Sequence, residues 1–346
     1  MKATVTPGKP RIPYIDFMKG LCIMLIVMTH VEGTFFDQLL PNLNNALQSF
    51  RIPLYYFLSG LFFKTYGGIS DFSRKKVNNL LIPFVFFHVL CCATTLIIFE
   101  LKEHFVRPQE IKFVWTCFIE PLYLRDWHYT VPLWFLLSLF EVNIIYYCLQ
   151  RWLRPWAVMS MVALVSVAGY LLFLHHIELP LHFDTAMVGL PYFVLGSMFK
   201  QHGALEPKRF DRWLWVMAIP LFIGIYFVAQ PIDIHMQVVP HYLLLYGVPF
   251  VAISTLFAAC KPLGYVPVIC YWGRYSLIIL GTHATILEPV KLFFNHRGFS
   301  TMWVAGCTFV VTMAIATAAI WLFIRWFPKF TAQQEFFGPQ WKVSLP

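Results

Sequence analysis

A lysine and a histidine stand at the two ends of one apolar stretch near the start of the chain, KGLCIMLIVMTH, which runs from Lys19 to His30. On a helix, rotation by about 100° per residue brings these side chains to within about 20° of one face, about 16 to 17 Å apart along the axis. Asp16 falls about 40° to 60° from both. The spacing therefore predicts one polar helix face with a histidine near one end and a lysine near the other.

Each of these groups also has a purely structural interpretation. His30 can be an interfacial histidine at a helix end, and Lys19 can extend its ammonium to the membrane boundary or pair with Asp16 three residues away. The next apolar stretch, SFRIPLYYFLSG, begins with Arg51 near the predicted depth of His30. Ionisable residues inside a membrane span are costly and commonly face a bundle interior, which favours a shared site.

The composition indicates an integral membrane protein. Of the 346 residues, 59% are hydrophobic and only 12% are charged, and the mean hydropathy is +0.65. The net charge of +9 has no accompanying nucleic-acid motif, so no nucleic-acid partner is expected. The eight cysteines form no CxxC pair and no metal-ligand spacing, and no metal is predicted.

Apolar runs of the length that a membrane helix needs predict an all-α polytopic protein with about ten transmembrane helices. The predicted spans are 12–33, 48–66, 78–99, 131–149, 155–175, 184–200, 211–230, 240–259, 269–288 and 302–326. Lys and Arg concentrate in alternate connections and near both ends, which predicts cytoplasmic termini. The first helix has no cleavage signal before it and is expected to be retained. We predict a single membrane domain over 1–346, with its core at about 11–330 and no separate soluble domain.

Further candidates lie in later spans and outer connections. His283 follows Ser276 by seven residues, about 20° from in line on a helix, and the alternative for this histidine is a packed core residue. Arg274 fits either phosphate binding or membrane topology. Trp134 fits interfacial anchoring or sugar stacking. Glu120 and His128 are possible contacts for the acceptor. A possible metal site matches no named motif and comprises His175, His176, His182 and Asp184.

The order of several motifs resembles a known family. KGLCIMLIVMTH is followed by RIPLYYFLSGLFF, a basic run before LLIPF, VPLWFL, PYFVLGSMF and YWGRYSLIILGTH. Together they resemble the acyltransferase 3 family of integral-membrane acyltransferases, and most of all its single-domain branch of bacterial sugar and polysaccharide O-acetyltransferases. The resemblance covers about residues 11 to 330.

The resemblance implies a reaction and a place in the cell. An acyl group, expected to be acetyl with succinyl as the alternative, moves from cytoplasmic acyl-CoA to a hydroxyl of a glycan or lipid-linked sugar. The expected location is the bacterial plasma (inner) membrane, and the oligomeric state is open. His30 matches the essential histidine of the family, and Lys19 takes the basic position where many members have arginine. The implied positions for binding or orienting acyl-CoA are Lys19, Arg74, Lys75, Lys76 and Arg274, and those for active-site support are Asp16, Arg51, Ser276 and His283.

The chemistry of the residues agrees with that reaction and leaves alternatives open. Histidine suits removal of a proton from an attacking hydroxyl, and a covalent acyl-histidine is the variant mechanism. Buried His, Lys and Asp can equally relay protons in a multi-pass transporter or polysaccharide flippase. That class predicts inverted repeats and paired broken helices, which the sequence does not show.

Overall fold

The computed structural model describes residues 12–31, 42–102, 115–118, 120, 133–206, 211–263, 265–297 and 301–338. Within these ranges the chain is a helical bundle, and its extended pairing is one isolated bridge between Asp233 and Val238. A π-helical turn, Val77–Leu81, joins the helices Ile69–Lys76 and Ile82–Lys102. The helices are α1 (Pro13–Val31), α2 (Leu43–Leu61), α3 (Ile69–Lys76), α4 (Ile82–Lys102), α5 (Trp134–Trp152), α6 (Pro155–Leu174), α7 (Phe183–Gln201), α8 (Asp211–Val228), α9 (Tyr242–Leu263), α10 (Pro267–Arg274), α11 (Ser276–His296) and α12 (Thr301–Trp326).

Six segments of the described chain are long and apolar enough to cross a membrane, so the protein is an integral membrane protein. They lie in α1, in α3 together with α4, and in α6, α9, α11 and α12. The other four predicted spans also contain helices, α2, α5, α7 and α8, but these do not reach the same length and apolarity. The all-helical fold class is confirmed, whereas the number of ten spans and the cytoplasmic termini stay predictions.

The predicted ninth span is divided in two. Helix α10 ends at Arg274, Tyr275 leaves the helical region with φ −113° and ψ 24°, and α11 begins at Ser276. The break separates a short helix that lies against α1 from a longer helix that carries His283. Ser276 and His283 therefore belong to the same helix, as their spacing predicts.

Two glycines bring α1 and α10 into backbone contact. A Cβ atom on Gly273 would overlap the carbonyl oxygen of Asp16, and one on Gly20 would overlap the carbonyl oxygen of Ile269. Small residues at such crossings allow membrane helices to approach closely enough for dispersion forces to act between backbones. The contact lies beside Lys19, so it fixes where that lysine points.

A second close crossing joins α2 to α7. A Cβ atom on Gly60 would overlap the carbonyl oxygen of Phe193, and one on Gly196 would overlap the carbonyl oxygen of Phe57. The rings of Phe63 and Phe193 pack edge to face beside it, with centroids 5.7 Å apart. Helix α2 also contacts α1, so it lies between the helix of Lys19 and the buried helix α7.

Replacing Gly273 by alanine is expected to destabilise the bundle, because the added methyl group has no space against α1. Overpacking of this kind costs about 1 to 3 kcal/mol, which is a fall of several degrees in the melting temperature. The matched control is Gly306→Ala in α12, where a Cβ atom meets nothing within 4 Å. Thermal unfolding of both variants in one detergent measures the difference, and equal melting temperatures would contradict the crossing.

Candidate active site

Two histidines from different helices meet in the interior. The rings of His30 on α1 and His283 on α11 lie edge to face, with centroids 5.2 Å apart and planes at 74°. His283 is completely buried, whereas the side chain of His30 is exposed near the end of α1. His30 is therefore the member of the pair that a substrate can reach.

Backbone contacts fix the tautomer of both rings. Nδ1 of His30 lies 2.8 Å from the carbonyl oxygen of Ile26, and Nδ1 of His283 lies 3.0 Å from the carbonyl oxygens of Ile279 and Leu280. A carbonyl oxygen only accepts, so each Nδ1 carries the hydrogen and donates it. In the neutral rings the lone pair is then on Nε2, and Nε2 of His283 has no hydrogen-bond partner among the described residues.

One cation and one anion act on this pair. Arg51 on α2 and Asp233 in the connection between α8 and α9 both interact electrostatically with His30, and they attract each other. Nη1 of Arg51 is buried and makes no hydrogen bond within the described part of the chain. The arginine that the sequence places near His30 is thus present, with one donor available.

Asp233 is a residue that the sequence analysis missed. Its Oδ1 accepts hydrogen bonds of 3.0 Å from the backbone N–H groups of His235 and Met236, which close a turn that the bridge to Val238 completes. The one available signal was its position, since it is the sole acidic residue in the connection between the seventh and eighth predicted spans. Arg51 lies 182 residues before Asp233, and no local sequence pattern connects the two residues.

A cavity of about 330 Å³ lies between α1, α2 and the start of α11. Lys19 and Lys76 line it, and so do Tyr55, Ser276 and Leu280. The carbonyl of Leu280 is one of the acceptors for His283, so the wall of the cavity continues into the histidine pair. No acidic side chain of the described residues lines this space, which makes it positively charged.

Hydrogen bonds hold the lysine side of the cavity in place. The Tyr55 hydroxyl donates to the backbone carbonyl of Lys19 at 3.2 Å, and Ser276 hydrogen-bonds to the same hydroxyl. The Lys19 ammonium lies over the ring of Phe62, 4.8 Å from its centroid. Three of the predicted residues, Lys19, Lys76 and Ser276, therefore share one cavity.

Arg74 and Lys75 do not line this cavity. Both form ion pairs with Glu335 in the segment after α12, and the Arg74 contact is 2.6 Å long. Asn78 fastens the same segment, because it donates to the carbonyl of Phe337 at 2.9 Å and accepts from the N–H groups of Phe336 and Phe337. We call this set of contacts the C-terminal clasp. The residues of the C-terminal clasp lie on a different face of α3 and the following π-helical turn from Lys76, which lines the cavity.

The remaining predicted residues lie around these features. Arg274 is exposed, with its guanidinium 5.2 Å from the ring centroid of Tyr275, and it does not line the cavity. Asp16 is half-buried at the crossing of α1 and α10. Glu120 is half-buried within a stretch that is otherwise not described, and His128 lies outside the described residues.

Trp134, the first residue of α5, is buried in an aromatic cluster rather than exposed to lipid. It stacks on His235 with centroids 5.1 Å apart and planes at 9°, and His182 lies 5.7 Å away. Gln237 donates to Asp184 at 2.7 Å beneath this cluster. The turn that carries Asp233 is therefore anchored to α5 and α7.

No group of three or more potential metal ligands occurs in the described ranges, so the structure does not support the metal alternative at His175, His176, His182 and Asp184.

The fold and this site define a membrane-embedded helical protein with a histidine pair next to a basic cavity. The model of the acyltransferase 3 family, an acyltransferase domain, matches residues 12–322. The chain belongs to this family and is an integral-membrane acyltransferase. Comparisons with curated proteins and with solved structures find no match.

Replacing Glu335 by glutamine is expected to loosen the C-terminal clasp, because Arg74 and Lys75 lose the charge that they bind. For a partly exposed ion pair with charge-assisted hydrogen bonds the loss is about 1 kcal/mol, or about fivefold faster amide exchange across residues 327–338. Hydrogen exchange read by mass spectrometry measures this. Glu206→Gln, at an exposed carboxylate elsewhere, is the control. Unchanged exchange in Glu335→Gln would show that the ion pairs do not hold the segment.

Proposed function

We propose that the protein transfers an acyl group, acetyl in the first instance, from acyl-CoA to a hydroxyl of a glycan or lipid-linked sugar. The observation that carries this proposal is the fixed tautomer of His30, which leaves the lone pair of Nε2 on an exposed ring that packs against His283. Membership of an acyltransferase family favours this reaction over the transport alternative. Succinyl remains the alternative acyl group.

The proposed step uses His30 as a general base. Its Nε2 takes the proton of the acceptor hydroxyl as the oxygen attacks the thioester carbonyl, and the resulting tetrahedral intermediate carries a negative oxygen. Collapse breaks the carbon–sulfur bond, and the proton on His30 passes to the departing thiolate. The products are an ester and free CoA, and the histidine returns to its neutral state.

Arg51 is suited to stabilise the negative oxygen. Its buried Nη1 has a donor without a partner in the described part of the chain, and a donor already in position needs no reorganisation when charge develops. Asp233 balances the arginine charge when no substrate is present. His283 packs against His30 and restricts its ring, so we assign it a positioning role.

The basic cavity is suited to the donor. Lys19 and Lys76 offer two ammonium groups for the phosphates of CoA, and the described residues that line the cavity include no Asp or Glu. The axial rise between Lys19 and His30, about 16 Å, is of the same order as the extended arm of CoA. The thioester can then reach His30 while the nucleotide remains at the lysine end.

The acceptor is proposed to enter from the opposite end, beside Trp134 and the turn of Asp233. Both lie near the end of α1 that carries His30, because Asp233 acts on that histidine and the aromatic cluster holds its turn. Glu120 and His128 remain candidate acceptor contacts. In this proposal the lysine end faces the cytoplasm of a bacterial cell and the acceptor side faces outward across the plasma (inner) membrane.

His30→Gln is expected to lower acyl transfer by at least about 100-fold, because glutamine can donate and accept hydrogen bonds but cannot take up the proton. Purified protein in lipid nanodiscs, with radiolabelled acetyl-CoA and a lipid-linked glycan acceptor, measures the transfer. His175→Gln removes an exposed histidine after α6 and is the matched control. Activity of His30→Gln within twofold of wild type, with the same melting temperature, would exclude the proposed base.

Lys76→Gln is expected to raise the KM for the acyl-CoA donor about tenfold with a smaller change in kcat, because it removes one charge-assisted phosphate contact. Lys76→Arg should restore most of the loss. The control is Lys329→Gln, which removes an exposed lysine after α12. A fall in kcat alone would place Lys76 outside the donor site without contradicting the role of His30.

A further inference from the structure

We propose that a second cavity, between α5, α6 and α7, is a binding site for the headgroup of an anionic phospholipid. This cavity has a volume of about 550 Å³ and shares no lining residue with the cavity of Lys19 and Lys76. It lies where α5 and α7 end and α6 begins, next to the segment that follows α2. The proposed acyl transfer makes no use of it.

The charge of this cavity is positive. Arg151 lines it, exposed Arg154 follows three residues later, and exposed Lys64 is adjacent to the lining residue Thr65. No Asp or Glu of the described residues lines the space. A phosphodiester is therefore the group whose charge this site complements, and arginine binds such a group through two parallel donors.

The floor of the cavity is a polar network built from two helices. Gln150 donates to the Tyr146 hydroxyl at 2.7 Å, and that hydroxyl donates to Ser197 at 3.3 Å. Gln201 also donates to Ser197, at 3.4 Å. Each of these two amides has a second N–H available for a headgroup oxygen. The polar floor and the arginine at the rim are thus arranged around one space.

The other walls indicate an amphiphilic ligand rather than a soluble phosphate. Leu153, Val158 and Met198 supply apolar surface that suits a glycerol backbone and the first methylene groups of acyl chains. The flanking rings of Trp152 and Trp156 are 73% and 71% exposed, as tryptophans at the level of lipid headgroups are. Basic pockets between helices at this level are typical sites for anionic lipid headgroups.

The test compares lipid retention by the full-length protein. Protein is purified from nanodiscs that contain equal amounts of phosphatidylglycerol and phosphatidylcholine, and native mass spectrometry counts the lipid that stays bound. Wild type should retain phosphatidylglycerol at least about tenfold over phosphatidylcholine. Arg151→Gln should lose about tenfold of that retention. Met159→Trp, which fills the mouth of the cavity at an exposed position, should lose as much.

Arg325→Gln is the matched control. Arg325 is also exposed and lies 5.5 Å from the ring centroid of an exposed tryptophan, Trp321, but it lines neither cavity. Equal retention of the two lipids by wild type, or equal losses in Arg151→Gln and Arg325→Gln, would overturn the proposal. Displacement of the lipid by millimolar glycerol phosphate would overturn it too, because the ligand would then be a soluble phosphate ester.

Discussion

The contact between the backbones of α1 and α10 determines the rest of the site. Gly20 and Gly273 allow these helices to touch without intervening side chains, and the break at Tyr275 then directs α11 back along α1. Because Lys19 and His30 lie on one unbroken helix, fixing α1 fixes both ends of the proposed reaction path. Because His283 lies on the helix that follows the break, the same contact brings the second ring beside the first.

The two charges near His30, those of Arg51 and Asp233, impose a second constraint on the structure. Nη1 of Arg51 is buried and Asp233 is half-buried, so removing either charge alone would leave the other uncompensated and would destabilise the bundle. The turn of Asp233 must therefore be held in place. His235 in this turn stacks on Trp134, and Gln237 donates a hydrogen bond to Asp184. The aromatic cluster at the start of α5 thus has a structural role on which the proposed chemistry of His30 depends.

Local patterns predicted the helices and the residues they carry, but not the contacts between distant parts of the chain. Hydropathy and the 3.6-residue period placed Lys19 and His30 on one helix, and every predicted span contains a helix. The partners of Arg74 and Lys75 were not predictable, because Glu335 is separated from them by most of the chain and no periodicity connects them. Asp233 was missed for the same reason, since a turn in a connection has no repeating pattern.

The π-helical turn at Val77–Leu81 has a consequence for how the basic segment and the membrane helix are joined. Such a turn contains one residue more than an α-helical turn, and it behaves as a single-residue insertion that the helix absorbs without breaking. The rotation of α3 is thereby set independently of the rotation of α4. One continuous rod can present Lys76 to the cavity and Asn78 to the end of the chain, while Phe87 still packs inside the bundle. The extra residue therefore changes the direction in which the side chains of α3 point relative to those of α4.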